Sequence, residues 1–358
     1  MKRPWLALVS VLVAASGAVV PVGAQAAVNA ADPNPLVLET SPLPISLVAD
    51  PGKSVSADLR VKQAGQETAK LKVSLMKFGA YGDTGKPEIV PRQPGDDYFD
   101  WVKFDKTLFD APPNVWQTVH MTINLPKTAA FGYYYAVVFS RAGDDATPTS
   151  KNTNAVSGAT AVLVLLEARN PNAKRTLVLD SFTSTHRVYE FLPAHFDVKL
   201  EDTGNVHGVP VGDVFISQGK TQLGALSLNA GGGNILPGSK RIFPVEWTNG
   251  FPVYQVVTQD GKVKLDKNSN PVRKLSWDWT QVTKLRIGRY TAHLFAVYDD
   301  GSHDVPLDAV LTFWVIPWRF LLVLLLVISV IGFGVYAVVR GTVRSAARGM
   351  SRLTKRRR

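Results

Sequence analysis

The 358-residue chain contains no cysteine. That excludes a disulfide framework and a zinc ribbon, so any exported domain must stand on its own hydrophobic core. Histidine is sparse. The six lie at positions 120, 186, 195, 207, 293 and 303, none in H-E-x-x-H spacing, and they read as structural side chains. There is no N-x-[ST] sequon, no G-x-S-x-G, no P-loop and no G-x-G-x-x-G after a strand. The near misses fail on physical grounds. Asp266-Lys267-Asn268-Ser269-Asn270 begins like a calcium loop. Pro271, however, stands where the sharp turn needs glycine, and Trp277 where a bidentate glutamate is needed. Ser74-Leu75-Met76-Lys77 matches S-x-x-K, but its companion motifs are missing and it sits in a strand pattern. "AGGGN" at 230–234 has no helix after it to hold a phosphate. On this reading there is no catalytic residue, metal ligand or cofactor site.

Negative charge is missing from the C-terminus. Residues 340–358 hold eight Lys or Arg and no acid, and Lys2 and Arg3 add two cations at the other end. The chain's net charge is +11, so everything between carries only +1. Nucleic-acid binding by the body loses its electrostatic basis.

What is present fixes a topology. Lys2 and Arg3, the apolar "WLALVSVLVAASGAVV" and Ala24-Gln25-Ala26 make a secretory signal over 1–26. "FLLVLLLVISVIGFGVYAVV", 320–339, has no charge and spans about 30 Å as a helix, one hydrocarbon core. Trp314 and Trp318 on one side, and Arg340 and Arg344 on the other, are the candidate membrane-interface residues. They place residues 318–339 in a bilayer, the bulk of the chain outside and the basic tail 340–358 in the cytoplasm. Arginines every four residues from Arg340 to Arg356 could rest on an anionic inner leaflet or simply stop transfer. No LPxTG motif precedes the span; Leu125-Pro126-Lys127-Thr128-Ala129 is a variant far too early to be a wall-sorting signal. Export without cysteine or sequon fits a bacterial surface.

Residues 35–315 lack any long segment of helical period. They carry short alternating or apolar runs bounded by Gly, Pro, Asn and Asp, which is the strand signature. Strands are predicted near 36–39, 44–48, 54–62, 69–78, 115–124, 133–140 and 159–168. A second set falls near 176–182, 194–201, 210–217, 222–228, 241–247, 290–298 and 308–315. The class is all-β: two tandem Ig-like β-sandwiches over 33–169 and 176–315, joined by "RNPNAKR". "AGDDATPTSKNTNAVSG", 142–158, reads as a polar loop. Residues 253–279 exceed a minimal sandwich, and Asp260-Gly261 is a hairpin signal, so they predict a projecting β-ribbon. Residues 260–289 carry a net +5, and Lys262, Lys264, Arg273 and Lys274 are candidate contacts for anionic wall polymer or lipid headgroups. The other candidate is "YFDWVKF", where Tyr98, Phe99 and Trp101 either stack on a sugar or fill the core. Asp96, Asp97, Asp100, Asp105 and Asp110 offer carboxylates for a hydrolase, but nothing in the sequence selects a pair.

Several stretches together resemble bacterial WxL-interacting surface proteins. They are "PISLVADPGKS" (44–54), Trp101, "LPKTAAFGYYYAVVF" (125–139), "TGNVHGVPVGDVFI" (203–216) and "LPGSKRIFPVEW" (236–247). The resemblance implies a peptidoglycan-binding-type first domain, a membrane-proximal sandwich, and an adaptor role toward peptidoglycan or a partner surface protein. Two departures stand out. Lys62-Gln63 replaces the family's usual asparagine after the second strand, and the 253–279 ribbon is extra.

Overall fold

The computed structural model describes residues 36–143, 159–259, 261–267 and 269–355, with side chains as far as Arg340. The signal over 1–26, most of the 142–158 loop and residues 356–358 lie outside the described residues. From Leu36 onward the chain forms one compact unit.

Before residue 170 the described strands are β1 Leu38–Ser41, β2 Ile45–Ala49, β3 Ser54–Gln63, β4 Ala69–Tyr81, β5 Lys86–Val90, β6 Val102–Phe104, β7 Leu108–Ala111, β8 Trp116–Asn124, β9 Gly132–Arg141 and β10 Ala159–Ala168. They form sheets ordered β1-β3-β8-β6 and β2-β10-β9-β4-β5, with β7 beside β4. Then follow β11 Leu177–Ser184, β12 Val188–Tyr189, β13 Ala194–Asp202, β14 Val211–Gln218, β15 Thr221–Leu228 and β16 Lys240–Trp247. The last six are β17 Val253–Val256, β18 Thr258–Gln259, β19 Lys262–Val263, β20 Arg273–Ser276, β21 Gly288–Asp299 and β22 Asp304–Val315. The second pair of sheets is β11-β13-β16 and β12-β22-β21-β14-β15, and the ribbon adds β17-β20 and β18-β19.

Both pairs follow one path. The first strand (β1, β11) lies antiparallel to β3 or β13. A short second strand (β2, β12) then crosses to the opposite sheet and runs parallel to the last strand, β10 or β22. The strand crossing lets the two sheets share one core, as in Ig-like sandwiches.

Period-two alternation decides what goes inside. Leu59 and Val61 of β3 and Val119, Met121 and Ile123 of β8 are fully buried, facing Tyr135, Val137 and Phe139 of β9. The second core is more aromatic. Phe196, Trp247, Tyr290 and Phe313 meet there, with Trp247 and Tyr290 ring centroids 5.3 Å apart. Strand β9 reads as an unbroken apolar run because it is buried on both faces. Its Ala136 and Val138 join Phe78 and Leu165 in a third cluster, and Leu236 from the second pair packs against it.

The two pairs are joined by polar contacts as well. Arg175 reaches Glu167 at 2.5 Å, Lys199 reaches Asp83 at 2.9 Å, and the Ile242 amide donates to the Asp83 carbonyl at 2.8 Å. The Tyr134 hydroxyl accepts from the His207 amide at 2.9 Å.

One α-helix is described, α1, Trp318–Lys355. Its stretch Trp318–Arg340 has a mean hydropathy of 2.8 and buries none of its side chains, so it is long and apolar enough to cross a membrane. Pro317 precedes it, where a missing amide costs nothing, and its carbonyl accepts from Leu321 at 2.9 Å.

Candidate binding surfaces

The aromatic segment forms a short 3-10 helix, Asp97–Trp101, over one end of the first core. Phe99 is 5% exposed, and Tyr98 and Trp101 are half-buried. The rings meet β9: Phe99 lies 5.7 Å from Tyr135, Tyr98 5.4 Å and Trp101 4.8 Å from Tyr133. The Tyr135 hydroxyl donates to the Tyr98 carbonyl at 3.1 Å. Burial, with Asp96 nearby, pushes the Tyr98 hydroxyl well above the usual tyrosine range.

The aspartates around these rings are dispersed onto separate partners. Arg92 grips Asp100 with two bonds of 2.8 and 3.0 Å. Burial would raise Asp96, but the Gln93 amide at 2.8 Å and Lys77 at 3.0 Å outweigh it and hold the carboxyl below its ordinary value. Asp105 accepts from the Lys106 and His120 amides. The segment is therefore a lid on its own core, with Asp96, Asp100 and Asp105 tied to neighbouring donors.

The second surface is the connection from β16 to β21. Its counterpart in the first pair, from β8 to β9, spans residues 125–131; here it spans 248–287. Within it β17 pairs with β20 and β18 with β19, and Gly261 takes the φ of +73° that a tight hairpin turn demands. Lys262, Lys264 and Lys274 are exposed on it. Arg273 is committed instead to Glu246 on β16, through bonds of 2.7 and 3.3 Å that raise its pKa and brace the ribbon against the sheet. The brace itself lines a cavity of about 620 Å³, together with Phe251, Tyr254, Asp278 and Lys284. Asp278 and Lys284 are hydrogen-bonded within it to neutral side chains. Asp278 accepts from Thr280 at 2.6 Å and from Gln281 at 3.0 Å, which lowers its pKa, and Lys284 donates to Gln281 at 2.9 Å.

Beside the cavity is a cluster that the sequence patterns did not single out. Trp277 stacks on Trp279 at 5.7 Å, and Phe251 and Phe191 back them. The indoles remain 43% and 66% exposed. The available signal was a W-D-W triplet in a basic, turn-rich insertion, which periodicity does not register.

Two of the candidate membrane-interface residues, Trp314 and Trp318, lie at the same end. Trp314 is the penultimate residue of β22, Trp318 opens α1, and both are about half exposed. Arg319 stacks over Trp318 and reaches Glu190 at 3.6 Å. At the far end of the helix Arg340 donates to the Tyr336 hydroxyl at 2.7 Å. The side chain of Arg344 lies outside the described residues. Among the described residues no group of three or more His, Asp or Glu could hold a metal ion.

No family model matches the chain, and no curated protein matches it. The resemblance to WxL-interacting proteins therefore rests on its sequence stretches alone. Solved structures do match. The class 5 fimbriae chaperone CfaA is 13% identical, over 76% of this chain and 98% of its own, with a TM-score of 0.35. A chain of a chaperone–tip adhesin complex of CFA/I fimbriae biogenesis is 12% identical, over 77% and 98%, also at 0.35. The Pseudomonas aeruginosa CupB2 chaperone is 9% identical, over 75% and 98%, at 0.31. At such values these structures say nothing of this chain's ligand or partner.

Proposed function

We propose that the chain is a membrane-tethered, non-enzymatic protein of a bacterial cell surface. The signal over 1–26 exports it. Two Ig-like domains, 33–169 and 176–315, stand outside the membrane, residues 318–339 span it, and the basic tail 340–358 stays in the cytoplasm. The outer domains bind peptidoglycan or another wall polymer, or a partner surface protein. One observation carries the reading: β22 passes into the apolar helix through only Ile316 and Pro317, so the last sheet is held directly at the head of the span. Photo-cross-linking of the full chain in its native cells, followed by pull-down on purified peptidoglycan, tests it. Glycan or exported protein among the adducts supports the proposal. Adducts confined to cytoplasmic proteins sink it.

A second reading is assembly through a sheet edge. The five-stranded sheet of the second pair ends at β15, whose outer edge has no paired strand among the described residues. An added strand from a partner could complete it.

A further inference from the structure

The geometry points to a second contact with the bilayer. We propose that the 248–287 connection seats on the lipid headgroup layer of the membrane that α1 spans, with Trp277 and Trp279 as its interfacial anchors. This rests on the tethering reading above.

Position is the first argument. The connection enters β21 at Gly288, which pairs with Val315, the last residue of β22 before the helix. On the other side of that exit, Val188 pairs with Trp314, and the Ile316 amide donates to the Tyr189 carbonyl at 2.8 Å. From the first turn of α1, contacts run without a break to the indoles. Arg319 meets Glu190, the next residue Phe191 lies 6.3 Å from Trp277, and Trp277 stacks on Trp279. The first sheet pair attaches at the opposite end of the second, through His207 and Leu236. With α1 in a bilayer, the connection is held at the end of the protein nearest the headgroups.

Chemistry is the second. Trp279 is 66% exposed and Trp277 43%, and Val282 and Ile287 close by are also exposed. A soluble sandwich gains nothing from uncovered indoles, whereas the headgroup layer is where an amphipathic ring with one N–H is best placed. Lys262, Lys264 and Lys274 on the ribbon add the positive charge that anionic lipid attracts. A surface built for wall polymer would gain nothing from facing the span.

The test uses full-length protein reconstituted into vesicles of phosphatidylcholine and phosphatidylglycerol with brominated acyl chains, read as quenching of tryptophan fluorescence. Four indoles then lie at the interface, at positions 277, 279, 314 and 318. The Trp277→Phe/Trp279→Phe variant is expected to lose about half of the lipid-dependent quenching, and Trp314→Phe/Trp318→Phe to retain about half. Vesicles without phosphatidylglycerol should reduce the contribution of positions 277 and 279 first. If Trp314→Phe/Trp318→Phe abolishes quenching while Trp277→Phe/Trp279→Phe leaves it unchanged, the helix is inserted and the proposal is overturned. If soluble peptidoglycan fragments shield the two indoles and lipid does not, the surface belongs to the wall and the proposal is again overturned. Absence of quenching in every variant overturns the tether, and this proposal with it.

Discussion

Tyr98-Phe99-Asp100-Trp101 and Trp277-Asp278-Trp279 are alike in composition and opposite in fate. Each contributes to a short 3-10 helix, and in each the aspartate is fixed by neighbouring donors. The first folds inward because β9 presents Tyr133 and Tyr135 opposite it, so its rings close a core. The second stays outside because, among the described residues, the other rings it meets are just Phe191 and Phe251. Local sequence sets the turn in both; what lies across from it decides whether the aromatics stabilise the fold or remain for something else. That separates the two candidate ligand surfaces: one is occupied by its own protein, the other is open.

The comparison can be broken by matched truncations. Phe99→Ala should destabilise the chain by about 3 kcal/mol, the usual cost of emptying a buried aromatic site. Urea unfolding of the full chain in detergent measures it; a cost below about 1 kcal/mol would mean that the lid does not close the core.

A second contrast, read from pH dependence, concerns buried and exposed carboxyls. Burial, partly offset by the Gly204 and Gly208 amides, pushes Asp202 up to about 7, and its Oδ2 lacks a partner. A raised folded pKa favours the protonated acid. Its contribution is therefore fully present below about 4 and is lost as pH rises to about 7, at up to about 1.4 kcal/mol per pH unit. Asp202→Asn keeps an acceptor for Gly204 and should flatten stability over that range in pH-resolved unfolding. Asp300, in the exposed β21–β22 turn, has the opposite sign. The His303 amide and Ser302 hold it at about 2, so its contribution is present above about 4 and fades as pH falls to about 2.

Trp279→Ala should change stability by less than about 1 kcal/mol in the same urea experiment, since most of the ring already faces solvent. A loss comparable to that of Phe99→Ala would place Trp279 in a core and remove the contrast. The smallest effect belongs to the brace. Arg273 and Glu246 are 31% and 40% exposed, so Arg273→Glu should cost about 0.5–1 kcal/mol, and adding Glu246→Arg should recover part of it.

Much of the fold was legible because period-two alternation leaves a clear mark. "TVHMTINL" buries Val119, Met121, Ile123 and Leu125 as its pattern requires. Strands β5, β6, β7 and β12 were not legible. They are short, and β5 carries Pro87 at a sheet edge and has no fully buried residue, so neither burial nor propensity marks it. The hairpin turn at Gly261 was visible from turn chemistry. The commitment of Arg273 to Glu246 was not, because that pair joins the ribbon to a strand far along the chain. The exposure of Trp277 and Trp279 was hidden for the same reason: it depends on what fails to cover them.

The absence of cysteine makes the central claim directly testable. Single cysteines replace Gln66, in an exposed bend of the first sheet pair, or Ser351, in the basic tail, and intact cells are treated with a membrane-impermeant maleimide. The account predicts that Gln66→Cys is labelled at once and Ser351→Cys only after permeabilisation. Labelling of Ser351→Cys on intact cells, with Gln66→Cys protected, would contradict it.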